Sequence, residues 1–156
     1  MREIVLRDFF LGHATPAQLA SDVLGSTKRV GLISLVVEIE DMEGEFTVTR
    51  DMLVSLCDVV LSGKLPPQEL SAIGFALVAS GSFVWDAEDI VGDVINDWSC
   101  PEVNYPLTVD NVQRFKKWLL QLEVYPAKRL PAPSSKDERL ISRTEKKSLP
   151  RRQTGD

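Results

Sequence analysis

Three aspartates at helical spacing, Asp89, Asp93 and Asp97 in "WDAEDIVGDVINDW", are the side chains of this 156-residue chain whose arrangement comes nearest to chemistry. Carboxylates one turn apart on a helix can share a divalent cation or divide acid and base roles between them. Metal sites of this kind draw further ligands, inward His or Glu, from a second helix. None accompanies these three, so a solvated face and a partner-binding face are the readings that remain, with a metal-assisted hydrolase at Asp89 and Asp93 as a third.

Nucleophilic catalysis has less to work with. A Ser-His-Asp or Cys-His arrangement needs a histidine beside the nucleophile, and His13 is the one histidine, in a short connection ahead of a helix cap. Cys57 falls on an apolar helix face, where a thiol behaves as a small hydrophobe. "LGSTKRVG" follows a helix and lacks the spacing of a phosphate loop. An enzyme is therefore not expected, nor a cofactor or a metal.

The elements that hold these residues are well punctuated. In "ATPAQLASDVLGS" Thr15 reads as the N-cap, Pro16 as the first helical residue and Gln18 as the partner in a capping box, with Gly25 ending the helix. A helix over Ile4 to Leu11 precedes it, turning Leu6, Phe9 and Phe10 inward. From Asp51 to Ser62, Leu53, Leu56, Cys57, Val60 and Leu61 make one apolar face. "PPQELSAIGFALVAS" is apolar in all directions, which predicts a central buried helix whose Ala72, Gly74, Ala76 and Ala79 admit close neighbours. The next helix opens with Asp86 as N-cap; Ala87, Ile90, Val91, Val94, Ile95 and Trp98 share one side, and Asp86, Asp89, Asp93 and Asp97 the other. A last helix, capped by Thr108, turns Val112, Phe115 and Leu119 inward and Arg114 and Lys117 outward. Between Leu32 and Arg50 the β-branched residues and the "DMEGE" turn predict a β-hairpin over 33–49, with a helix across Leu32 to Ile39 as the competitor. The fold class expected is mainly α: a compact bundle of about six helices with a small hairpin.

Charge divides the chain. Residues 1–127 carry 19 Asp and Glu against 9 Lys and Arg, a net of −10, and residues 128–156 carry 4 against 9, a net of +5. The expectation is a single globular domain over 1–127 and a disordered basic tail over 128–156. An acidic body disfavours specific nucleic-acid binding and favours a basic protein partner, because complementary fields speed encounter. The two cysteines match no disulfide framework and no metal spacing, so a reducing cytoplasm is expected. The opening residues do not read as a signal peptide, and no stretch is long and apolar enough for a membrane span.

Two segments, "LRDFFLGHATPAQLASDVLG" and Leu61 to Leu119, "LSGKLPPQELSAIGFALVASGSFVWDAEDIVGDVINDWSCPEVNYPLTVDNVQRFKKWL", resemble small helical proteins of the bacterial toxin-immunity families, including the colicin D immunity type. The hairpin and the basic tail depart from the simplest such bundle. The resemblance implies an acidic inhibitor that occludes the active site of a cationic nuclease-type toxin and needs no cofactor. On that reading the binding residues are Asp86, Asp89, Asp93 and Asp97 with Glu43 and Glu45, joined by Glu102, Asn104 and Tyr105 at the edge of the loop "DWSCPEVNYPLTVDN". The rest of that loop, Trp98, Pro101, Pro106 and Thr108, reads as a brace between two helices. The alternative is a structural or regulatory interaction module, a homodimer or an adaptor.

Overall fold

Caps written into the sequence set several of the helix ends. The Thr15 side chain accepts from the Gln18 N–H at 3.2 Å while Gln18 accepts from the Thr15 N–H at 2.8 Å, and the helix they open, α2, spans Pro16–Val23. Gly25, at φ 86°, turns the chain out of it in the left-handed conformation that favours glycine. A computed structural model describes residues 1–30 and 34–126 of the chain. The other helices are α1 (Glu3–Phe10), α3 (Arg50–Leu61), α4 (Leu70–Ala79, entered through a 3-10 turn at Pro67–Glu69), α5 (Ile90–Ser99) and α6 (Val109–Leu119). The fold is mainly α, six helices and two small sheets among the described residues, and Met1–Tyr125 form one compact unit. The tail expected over 128–156 lies outside the described residues.

A small hairpin is present, but between different strands from those expected. Strand β1 (Thr27–Val30) pairs antiparallel with β2 (Ser34–Val37), Thr27 opposite Val37, and Lys28 reaches Glu38 at 2.7 Å. Gly44 does make a turn, at φ 84°, yet β3 (Phe46–Thr47) does not fold back onto β2. It runs parallel to β4 (Phe83–Val84), with Phe46 opposite Phe83. The reason is apolar contact. Phe46 meets Phe83 edge-on at 6.0 Å and stacks on Phe10 at 6.2 Å, so partners distant in sequence offer this segment an aromatic cluster that a local hairpin lacks.

The core lies between α3, α4, α5 and α6. Leu53, Leu56, Leu70, Ile73, Leu77, Ile95, Trp98 and Phe115 are fully buried in it. Helix α4 is less enclosed than its composition predicts: Phe75 and Val78 are 44% and 43% exposed. Its small residues do what was expected of them at Gly74, where an added Cβ would lie 2.7 Å from both the Ser99 nitrogen and the Trp98 Cβ of α5. Backbone cannot retreat as a flexible side chain can. With backbone at 2.7 Å the upper part of the overpacking range applies, about 2–3 kcal/mol, and the better helix propensity of alanine returns at most about 1 kcal/mol, so Gly74→Ala is expected to destabilise by about 1–2 kcal/mol net. A lower urea midpoint with unchanged denaturant slope would show it; an unchanged midpoint would mean that α4 and α5 are free to part.

Candidate functional site

The aspartate stripe of α5 passes from an exposed Asp86 through half-buried Asp89 and Asp93 to a fully buried Asp97. Asp89, not Asp86, is the N-cap of α5 and accepts from the Ile90 N–H at 2.8 Å; Asp86 stands one turn earlier, exposed, accepting from the Glu88 N–H at 2.9 Å. Asp89 also forms a two-pronged salt bridge with Arg50 of α3, one arm of which is the Arg50 Nε to Asp89 Oδ2 bond of 3.1 Å. The Arg50 guanidinium holds the Asp89 carboxyl below its ordinary range, reinforced by the helix N–H. Asp93 is half-buried and Asp97 fully buried, with the Tyr125 hydroxyl donating to Asp97 Oδ2 at 2.6 Å. Burial is the main cause holding the Tyr125 pKa above its ordinary value, followed by the Asp97 hydrogen bond and the charges of Asp97 and Asp93.

The chain after α6 returns to the Asp97 end of the stripe. The N–H of Leu122 reaches the Lys117 carbonyl at 2.9 Å and that of Gln121 the Trp118 carbonyl at 3.0 Å, the paired bonds of a Schellman helix end. Gln121 takes the left-handed position at φ 58°, where glycine is usual. The reversal lays Tyr125 against Trp118, ring centroids 5.1 Å apart and nearly perpendicular, and brings its hydroxyl to Asp97. Between this returning segment and the start of α5 is an open pocket of about 260 Å³, lined by Arg50, Ile90, Trp118, Gln121, Glu123, Val124 and Tyr125. Arg50, Trp118, Glu123 and Tyr125 were not among the residues expected to form a site. Trp118 and Tyr125 carried a signal as amphipathic aromatics flanking a helix end; nothing local marked Arg50 or Glu123.

The loop from Asp97 to Thr108 is a brace, and more of it is structural than the sequence indicates. Tyr105 is half-buried, edge-on to Phe115 at 5.9 Å and tilted on Trp118 at 5.4 Å. Asn104 is half-buried, its amide donating to the Asn96 carbonyl at 3.4 Å and its N–H to the Cys100 carbonyl at 3.1 Å. Thr108 caps α6 by accepting from the Asn111 N–H at 3.2 Å. Glu102 alone of the three loop candidates is exposed.

The exposed carboxylates gather elsewhere. Among the described residues six ion pairs engage Arg2, Arg7, Lys28, Arg50, Lys116 and Lys117. Glu40, Asp41, Glu43, Glu45, Asp51, Asp86 and Glu88 are exposed and belong to none of these pairs. The parallel register of β3 and β4 explains how they meet: Glu43 and Glu45 lead into the N-terminal end of β3, while Asp51, Asp86 and Glu88 follow the C-terminal ends of the two strands. Between these two groups Thr47 and Val84 sit opposite each other, both exposed. The expected set is thus divided: Glu43, Glu45 and Asp86 flank one small sheet, Asp89 is taken by Arg50 and Asp97 by Tyr125 with the half-buried Asp93 between them on α5, and Glu102 lies on the brace.

His13 lines a separate polar cleft of about 370 Å³ with Arg2, Asp8 and Asp22, where Asp22 is taken up by Arg2 at 2.7 Å. Cys57 is buried, and loss of solvent pushes its thiol up to about 12, away from the thiolate a nucleophile requires. No group of three or more His, Cys, Asp or Glu is placed to hold a metal ion among the described residues, and none of their helices is long and apolar enough to cross a membrane. No family model, no curated protein and no solved structure matches the chain.

Proposed function

We propose that the protein is a noncatalytic acidic binding protein of the immunity or inhibitor type, which occludes a cationic toxin in the bacterial cytoplasm. The observation that carries this is the run of exposed carboxylates at both ends of the β3 and β4 strands, outside the ion pairs that engage most of the body's cations. Such a surface carries a net negative field that steers a basic partner, and the exposed Thr47 and Val84 between the two groups provide a small desolvating centre. Two unpaired thiols, one of them exposed, suit a reducing compartment.

The test is binding to the product of the neighbouring gene. Association should be fast at low salt and slow steeply as salt rises, and a variant carrying Glu43→Lys, Glu45→Lys and Asp86→Lys should lose about tenfold or more in association rate with little change in dissociation. The idea is sunk if that gene product is not cationic and does not bind. A homodimer or adaptor is the second reading, favoured by the exposed Phe75 and Val78 on α4. Sedimentation at high salt separates the two, because an apolar dimer persists where a charge-steered complex weakens.

A further inference from the structure

A cavity of about 300 Å³ joins the start of α4 to the brace after α5, with Glu69 of the first and Glu102 of the second among its walls. Pro101 and the buried Leu107 give it apolar surface, and Thr27 of β1 and Ser71 of α4 bring hydroxyl groups to it. The Ser71 hydroxyl donates to the Gln68 carbonyl at 2.9 Å, which leaves its oxygen able to accept. Glu69 stands at the N-cap position of α4 yet makes no capping bond with its side chain. Among the described residues neither Glu69 nor Glu102 enters an ion pair, and no Lys, Arg or His lines the cavity. Glu102 is exposed and Glu69 half-buried. Burial holds the Glu69 carboxyl above its ordinary range, as expected of a carboxylate that has lost water without gaining a cation.

We infer that this cavity binds one alkylammonium group, a primary ammonium carried on a short aliphatic stem. The two carboxylates supply the charge. The hydroxyl oxygens of Thr27 and Ser71 add acceptors for the three donors of an ammonium, and Pro101 and Leu107 offer apolar surface to the stem. A guanidinium is less suited, because among the described residues no aromatic ring lines the cavity for it to stack on. The helix ends nearby have dipoles of opposite sign, positive at the start of α4 and negative at the end of α5, and offset each other. The carboxylates therefore set the sign of the field. At about 300 Å³ the volume falls at the low end of the roughly 300–1,000 Å³ of small-molecule sites, which suits a ligand of a few heavy atoms. None of the carboxylates that flank β3 and β4 lines this cavity, so the inference does not depend on the proposed function.

Titration of the folded protein with n-butylammonium at low salt, followed by NMR at the amides of Thr27, Ser71 and Glu102, tests the site without any partner protein. Saturable shifts at these amides are the expected result. The neutral n-butanol should bind at least about tenfold more weakly. Glu69→Gln and Glu102→Gln should each weaken n-butylammonium several-fold, while Asp110→Asn, exposed on α6, leaves it unchanged. Because Glu102 is exposed, its variant keeps the fold whatever Glu69→Gln does to the entry of α4. Putrescine and N-acetyl-lysine methylamide then separate the two sources of such a group: tighter binding of the diamine assigns the cavity to a free polyamine, and tighter binding of the lysine compound assigns it to a protein side chain. No saturable shift, equal binding of n-butanol, tighter binding of n-butylguanidinium, or an affinity unmoved by both glutamate variants overturns the inference.

Discussion

Phe115→Ala is expected to lower the stability of the fold by about 3–5 kcal/mol, the range for deleting a fully buried phenylalanine. Phe115 is 0% exposed, and its ring is edge-on to three others: Trp98 of α5 at 6.1 Å, Tyr105 of the brace at 5.9 Å and Trp118 of its own helix at 5.5 Å. Edge-to-face pairs add about 0.5–1.5 kcal/mol each beyond the area they bury, and truncation removes three together. The loss should appear as a much lower urea midpoint accompanied by a collapse of the near-ultraviolet circular dichroism of these aromatics. Phe115→Leu, which retains most of the volume, should cost considerably less. A loss below about 1 kcal/mol for Phe115→Ala would mean that the brace and α5 are held by something other than this ring.

The second large effect is expected from Tyr125→Phe, at about 1.5–3 kcal/mol, the range for a hydrogen bond to a charged group. The lower end applies because Tyr125 is only half-buried. The substitution preserves the ring against Trp118 and removes only the hydroxyl that donates to the fully buried Asp97, leaving the other interactions of Asp97 in place. Its pH dependence has a definite sign. The Tyr125 pKa is raised in the folded state, so its contribution is fully present below the unfolded tyrosine value of about 10 and is lost as pH climbs above it. The stability difference between the two proteins should thus be constant from about pH 6 to pH 9 and shrink in alkali. A difference that varied across the neutral range would point to titration of another group. The same variant should also loosen residues 121–125, seen as faster amide exchange there, and so weaken the pocket that those residues wall.

Most of the helical framework is legible in the residues themselves. Thr15 with Gln18, Gly25 and Thr108 act through contacts no more than a few positions away, and the structure places them at helix ends accordingly. The inward faces of α3, α5 and α6 follow from periodicity because a helix repeats its own geometry. Strand pairing is different. Phe46 looks equally ready for a hairpin with its neighbours or a ladder with Phe83, and nothing within five residues of it records where Phe10 and Phe83 will stand.

The aspartates of α5 mark the limit. Their spacing determines that Asp89, Asp93 and Asp97 share a side of the helix opposite Val91, Val94 and Trp98, and composition determines that residues 1–127 are strongly acidic. Whether that side meets water was decided by tertiary structure alone. The left-handed turn at Gln121 sends Tyr125 back across α5, burying Asp97 and bringing Trp118 and Glu123 around a pocket, while Arg50 arrives from α3 to take Asp89. A helical pattern reports the side on which the polar groups lie. What lies over that side depends on a chain reversal more than twenty residues away, and its energy comes from contacts that exist only after the core has closed.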